Sequence, residues 1–171
     1  MPVKEGWTGR FYEDFEAGDV YRHPNGRTIV TADNIWFSLL SQNSNPVHVD
    51  HVYASKTELG KPLVNSCFTL ALVTGQSVVD VSSNVMANLG WDEVRLPHPV
   101  FEGDTIYSQS EVLSKRESRS RPAVGIVNIK TIGFNQDGTV VITFKRTMMV
   151  YKRGHAPDAV RVRPPEIAGA S

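Results

Sequence analysis

The spacing of apolar and polar residues changes character along the chain. In the C-terminal half, TIYSQSEVLSKRES (105–118), AVGIVNIKTIGFN (123–135) and TVVITFKRTMMVYK (139–152) are long and rich in β-branched residues. Such segments predict strands. In the last of them Val140, Ile142, Phe144, Arg146, Met148 and Val150 share one face, opposite Val141, Thr143, Lys145, Thr147 and Met149. Asp137-Gly138 between the last two segments predicts a hairpin turn.

The first half reads differently. VYRHPNGRTIV (20–30) predicts a hairpin turning at Asn25-Gly26. Thr31 then stands as N-cap of a helix over 32–41, with Ile35, Leu39 and Leu40 on one face. DHVYASKTEL (50–59) predicts a short helix ended by Gly60 and Pro62. SCFTLALVTGQSVVDVS (66–82) is apolar on almost every side, which predicts a central, buried helix. The first 17 residues read as an arm packed on the surface, and 153–171 as an extended or disordered tail. The order predicts one α+β domain over 1–171, with a core of about 10–152 and an antiparallel sheet wrapped around one buried helix. A sheet on one helix leaves edges and a face to be covered, so a dimer is expected.

Composition narrows the function. Eighteen basic residues balance eighteen acidic ones, which argues against a nucleic-acid partner. One cysteine, Cys67, excludes an internal disulfide and a cysteine metal cage. No apolar run approaches the ~20 residues of a membrane span, and the N-terminus lacks a signal-peptide core. A cytoplasmic protein is expected.

Candidate chemistry concentrates in SQNSNPVHVDHVYA (41–54), where an apolar helix runs into a cluster of polar groups. Pro46 fixes the loop, His48 offers a general acid/base, and Asn43 can hold a water or a carbonyl. An Asn-rich turn would serve structure equally well. His48 and His51 have no third metal ligand at a recognised spacing, so no metal is expected.

Ser41-Gln42-Asn43-Ser44-Asn45-Pro46-Val47-His48-Val49-Asp50, with Ala54 after it, resembles the loop signature of the MaoC-like (R)-specific enoyl-CoA hydratases. GKPLVNSCF (60–68) and PVFEGDTI (99–106) match that family's approach to its central helix and its turn into the long strands. The resemblance covers roughly residues 10–152 and implies a hot-dog fold. It implies water addition across the α,β double bond of an acyl-CoA thioester. His48 would be the acid/base, the Ser66 N–H the oxyanion donor, and Val64 and Asn65 substrate contacts.

Two departures accompany it: Asn43 stands where the family has a catalytic Asp, and Asn65-Ser66 where it usually has His-Gly. A neutral Asn43 would not repel a substrate carrying its own carboxylate, so an itaconyl- or mesaconyl-type thioester is expected. Lys115, Arg116, Arg119 and Arg121 are candidate contacts for the coenzyme A phosphates, and no cofactor is expected beyond coenzyme A in the substrate. The resemblance further implies a homodimer with sites at the subunit boundary. A hot-dog acyl-CoA thioesterase and a non-catalytic acyl-CoA-binding subunit are the alternatives, the latter favoured by loss of the Asp.

Overall fold

A computed structural model describes residue 4 and residues 6–157. The chain runs β1 (Val20–Arg22), β2 (Arg27–Thr28), α1 (Thr31–Leu40), α2 (His51–Ala54), α3 (Ser66–Gln76), β3 (Val85–Arg95), β4 (Thr105–Glu117), β5 (Val124–Phe134) and β6 (Val140–Tyr151). The sheet is antiparallel, in the order β1-β4-β5-β6-β3, with β2 also on β4. The three predicted long strands form as expected, and Gly138 turns the β5–β6 hairpin with φ +78°.

The predicted hairpin at 20–30 does not form. β1 and β2 both pair with β4, Val20 opposite Glu111 and Arg27 opposite Ile106, so they are two pieces of one edge strand. His23 still donates its N–H to the Ser108 carbonyl, but Pro24 has no N–H for the ladder, and residues 24–26 loop out between the pieces. Gly26 lies under the Tyr107 ring, where a Cβ would come within 2.4 Å of a ring carbon.

β3 has no counterpart in the sequence-based reading. VMANLGWDEVR carries Gly90 and two acids, and three register shifts break its pairing with β6, so its alternation is weak. It is the sheet edge opposite β1.

α3 lies on the inner face of the sheet. Gly133 permits the close approach, since a Cβ there would meet Val73 and Ile142 at 2.8 and 2.7 Å. The helix is shorter than expected, ending at Gln76 before a π turn at Val78–Ser82. It is also buried on one side only: Thr69 and Val73 are covered, while Cys67, Ala71 and Gly75 are exposed. The all-round apolar pattern therefore reflects two faces, one on this sheet and one open in the single chain.

α1 departs further from expectation. It begins at Thr31 rather than after it, with the Asp33 carboxylate accepting from the Val30 N–H. Its fully buried residues are polar Asn34 and Ser38, while Leu39 and Leu40 are 64% and 80% exposed. The polar stripe turns inward because neighbouring loops present backbone groups that need partners away from water.

The inner face of the sheet carries two apolar clusters. One holds Tyr12, Phe15, Val112, Val127, Ile129 and Met148; the other holds Ile29, Val64, Val73, Ile106, Ile142 and Phe144. Between them along β4, β5 and β6 runs a polar belt of Ser108, Ser110, Thr131 and Arg146. His23 joins it, with Nδ1 2.8 Å from Asp80 and Nε2 2.9 Å from the Ser110 hydroxyl. The Arg146 side chain donates to the Ser77 hydroxyl at the C-terminal end of α3, at 3.0 Å, where a cation complements the helix dipole. Burial lowers the Arg146 pKa to about 10. The arm packs over this end: Phe11, Tyr12 and Phe15 are buried. The predicted tail from residue 158 onward lies outside the described residues.

Candidate functional site

The loop after α1 is built by its own polar side chains. The Asn43 carbonyl oxygen accepts from the Asn45 N–H at 3.1 Å, and the Asn45 carbonyl oxygen accepts from the Val47 N–H at 3.1 Å. This starts a 3₁₀ turn, Pro46–His48, with proline at its first position. Asp50 then caps α2 by accepting from the Tyr53 N–H at 2.9 Å. The turn sets His48 facing inward, 7% exposed.

One contact decides what His48 can do. Its Nδ1 lies 2.8 Å from the Leu63 carbonyl. A carbonyl only accepts, so Nδ1 carries the proton and the lone pair sits on Nε2. The imidazole is thereby held as a base at Nε2.

Asn34, fully buried on α1, ties the site together. Its amide nitrogen donates to the carbonyls of His48 and Leu63 at 3.0 and 3.1 Å, and its oxygen accepts from the Asn65 N–H at 2.9 Å. One side chain thus fixes the His48 turn and the approach to α3 together. Asn65 continues the chain of contacts, donating to the Ser38 hydroxyl at 3.2 Å and capping α3 by accepting from the Cys67 N–H at 3.0 Å. The cap leaves the Ser66 N–H without an acceptor among the described residues. It stands at the positive end of an eleven-residue helix, the arrangement that favours a developing oxyanion.

The 99–106 turn supports the same segment. Val64 N–H donates to the Val100 carbonyl at 2.9 Å, Leu63 bridges to Phe101, and the Asp104 carboxylate accepts from the Phe101 N–H at 2.8 Å. A cavity of about 280 Å³ opens beside it, lined by Leu63, Val64, Ser66, Thr69, His98 and Val100 among others.

The structure therefore brings His48, Val64, Asn65 and Ser66 to one place. Asn43 is on the same loop, where its carbonyl oxygen accepts from the Asn45 N–H and its amide NH₂ has no partner among the described residues. The basic cluster is elsewhere. Lys115 pairs with Glu16 at 2.8 Å, Arg121 points at the Met86 sulfur, and Arg116 and Arg119 line a different cavity. Lys115 and Arg116 lie in the last residues of β4 and Arg119 and Arg121 just beyond it, roughly 35 Å along the strand from its Thr105 end at the site. A single chain does not place them beside His48.

Asn34, Ser38 and His98 were not read from the sequence as site residues. Asn34 and Ser38, four apart on α1 and set among Ile35, Trp36, Phe37, Leu39 and Leu40, are a polar pair on one face that helical spacing would have revealed.

The family model described as "MaoC like domain" matches residues 14–133. A mesaconyl-CoA hydratase of Cereibacter sphaeroides is 35% identical over 162 residues, 95% of this chain and 47% of that protein. Among solved structures, a MaoC domain protein dehydratase from Chloroflexus aurantiacus is 30% identical with a TM-score of 0.83, covering 95% of this chain and 46% of that one. A Mycobacterium tuberculosis protein with a double hotdog fold superposes at TM-score 0.79 and 20% identity, covering 96% of this chain and 53% of that one. The chain spans about half the length of the curated relatives that it matches first.

Proposed function

Since this chain belongs to the MaoC-like dehydratase family, we propose that it hydrates the α,β double bond of an acyl-CoA thioester and dehydrates the product in reverse. The observation that carries this reading is the His48 imidazole, proton-fixed on the Leu63 carbonyl and held through Asn34 to Asn65, beside a Ser66 N–H with no partner among the described residues.

In the forward direction His48 Nε2 takes a proton from water while the hydroxide oxygen bonds to the β-carbon. The electron pair of the double bond moves to the α-carbon and the thioester oxygen, where the Ser66 N–H and the α3 N-terminus stabilise it. The proton on Nε2 is then delivered to the α-carbon. Water is consumed, and His48 returns to its starting state. Asn43 has no proton to exchange, so one imidazole performs both transfers and the Asn43 NH₂ orients the water.

The substrate reading is a dicarboxylic enoyl thioester of the mesaconyl or itaconyl type. A carboxylate in place of Asn43 would repel such a substrate, and a relative 35% identical to this chain is named for mesaconyl-CoA. Purified protein assayed against crotonyl-CoA, mesaconyl-CoA and itaconyl-CoA tests both levels. Loss of enoyl absorbance without release of free thiol supports hydration; thiol release would indicate hydrolysis instead. Faster turnover of crotonyl-CoA would sink the dicarboxylic assignment.

A second hot-dog unit, supplied by another copy of the chain, is the proposed partner. The exposed side of α3, with Cys67, Ala71 and Gly75, and the free edge of β3 with Leu89 and Trp91 52% and 42% exposed, form the surface it would cover. The matched relatives being twice this length supports two such units. Sedimentation of the purified chain at twice its 18.9 kDa mass is the expected outcome.

A further inference from the structure

The reaction uses His48 and the start of α3 but leaves His98 without a task. His98 lies in Leu96-Pro97-His98-Pro99, where a proline on either side fixes the backbone. It lines the same cavity as Ser66 and Thr69. Its Nδ1 is 2.8 Å from the Val140 carbonyl. As at His48, a carbonyl partner makes Nδ1 the donor and leaves Nε2 for a ligand.

The rest of that wall is largely apolar, with Leu59, Leu63, Val64, Leu96 and Val100. The other polar side chains on it, Ser66 and Thr69, are neutral. Lys61, a cation close to this turn, stacks 4.1 Å over the Phe101 ring and does not line the cavity. A small, mostly apolar cavity with a single imidazole fits a short acyl group that ends in one charge. His98 is exposed at the mouth of this cavity, and in its cationic form Nε2–H would donate to a carboxylate oxygen, the stronger class of hydrogen bond.

We propose that His98 is the specificity-determining residue that receives the second carboxylate of a dicarboxylic acyl-CoA, through Nε2. This rests on the hydratase reading above and adds to it the group that separates a charged acyl end from an uncharged one.

His98→Asn is the informative variant, because an Asn amide can keep the donor to the Val140 carbonyl while removing Nε2. kcat/KM is measured for mesaconyl-CoA and crotonyl-CoA, and calorimetry gives Kd for the unreactive thioesters succinyl-CoA and butyryl-CoA. The ratio of mesaconyl-CoA to crotonyl-CoA efficiency should fall about tenfold or more, the loss expected for one charge-assisted hydrogen bond. The succinyl-over-butyryl binding preference should fall in parallel, and Lys61→Met should leave both ratios in place. Ratios unchanged in His98→Asn, or lost in Lys61→Met instead, would overturn the proposal while hydration itself stood. Turnover of neither enoyl thioester by the unaltered chain would remove the hydratase reading. The succinyl-CoA preference and its loss in His98→Asn would then decide the carboxylate site by themselves.

Discussion

Two histidines in this fold are buried almost equally, His48 at 7% exposure and His23 at 6%, yet their surroundings differ in kind. His48 has one ring nitrogen on a backbone carbonyl and the other unbonded among the described residues. His23 has both nitrogens on side chains, Asp80 and Ser110. The first is an oriented base with a free lone pair. The second is a closed link in the polar belt, joined through Ser110 to Thr131 at 2.9 Å. Burial does not separate a chemical histidine from a structural one; the number of nitrogens left over does.

Substituting the two histidines should break the comparison most clearly. His48→Ala should lower hydration by ~10²–10⁴-fold, the range for loss of a general acid/base, with little change in the thermal midpoint. His23→Ala should do the reverse. It leaves the Ser110 hydroxyl with Thr131 alone and removes a partner of Asp80, so a loss of about 2 kcal/mol in denaturant unfolding is expected, with kcat nearly retained. Comparable loss of turnover in both variants would erase the distinction.

Asn34→Ala sharpens the comparison from the other side, because it leaves His48 in place and removes what holds it. The His48 carbonyl and the Asn65 N–H lose their buried partner, and the Leu63 carbonyl keeps only the His48 Nδ1. A destabilisation of about 3 kcal/mol is expected from unfolding curves, together with a fall in kcat.

His23 also makes the fold sensitive to acid. Its pKa is lowered from 6.5, chiefly by burial and against the pull of Asp80. The unfolded chain therefore takes up this proton at a higher pH than the folded chain. The contribution to stability is complete above 6.5 and is lost as pH falls through the lowered folded value. Thermal midpoints between pH 8 and pH 5 should decline at the acid end, and His23→Gln should flatten that decline. The smallest effect belongs to the loop: Asp50→Ala removes the α2 cap and should cost about 1 kcal/mol, read from the same unfolding curves.

What the sequence made legible follows from which partner each residue uses. β4, β5 and β6 were readable because side-chain alternation encodes a half-buried strand directly, and even buried Arg146 fell on the correct face. The loop with His48 and the start of α3 were readable because their residue types and spacing match a family signature. Asn34 left only its four-residue spacing from Ser38, and His98 left nothing, since both act on backbone carbonyls brought near only by the fold. α1 was read with its faces reversed for the same reason: hydrophobicity predicts burial of Leu39 and Leu40, but the unmet backbone groups around Asn34 decided the orientation.

The position of β5 has a consequence in time rather than in space. It is hydrogen-bonded along its length to β4 on one side and β6 on the other, whereas β1 and β2 hold three and two residues at an edge. Amide protons of Val127, Ile129 and Thr131 should exchange with deuterated solvent only when the whole domain opens, and those of β1 and β2 through local fraying. The slowest amides of the protein thus report global stability. The faster ones beside Arg27 and Thr28 act as an independent clock for the edge that precedes α1.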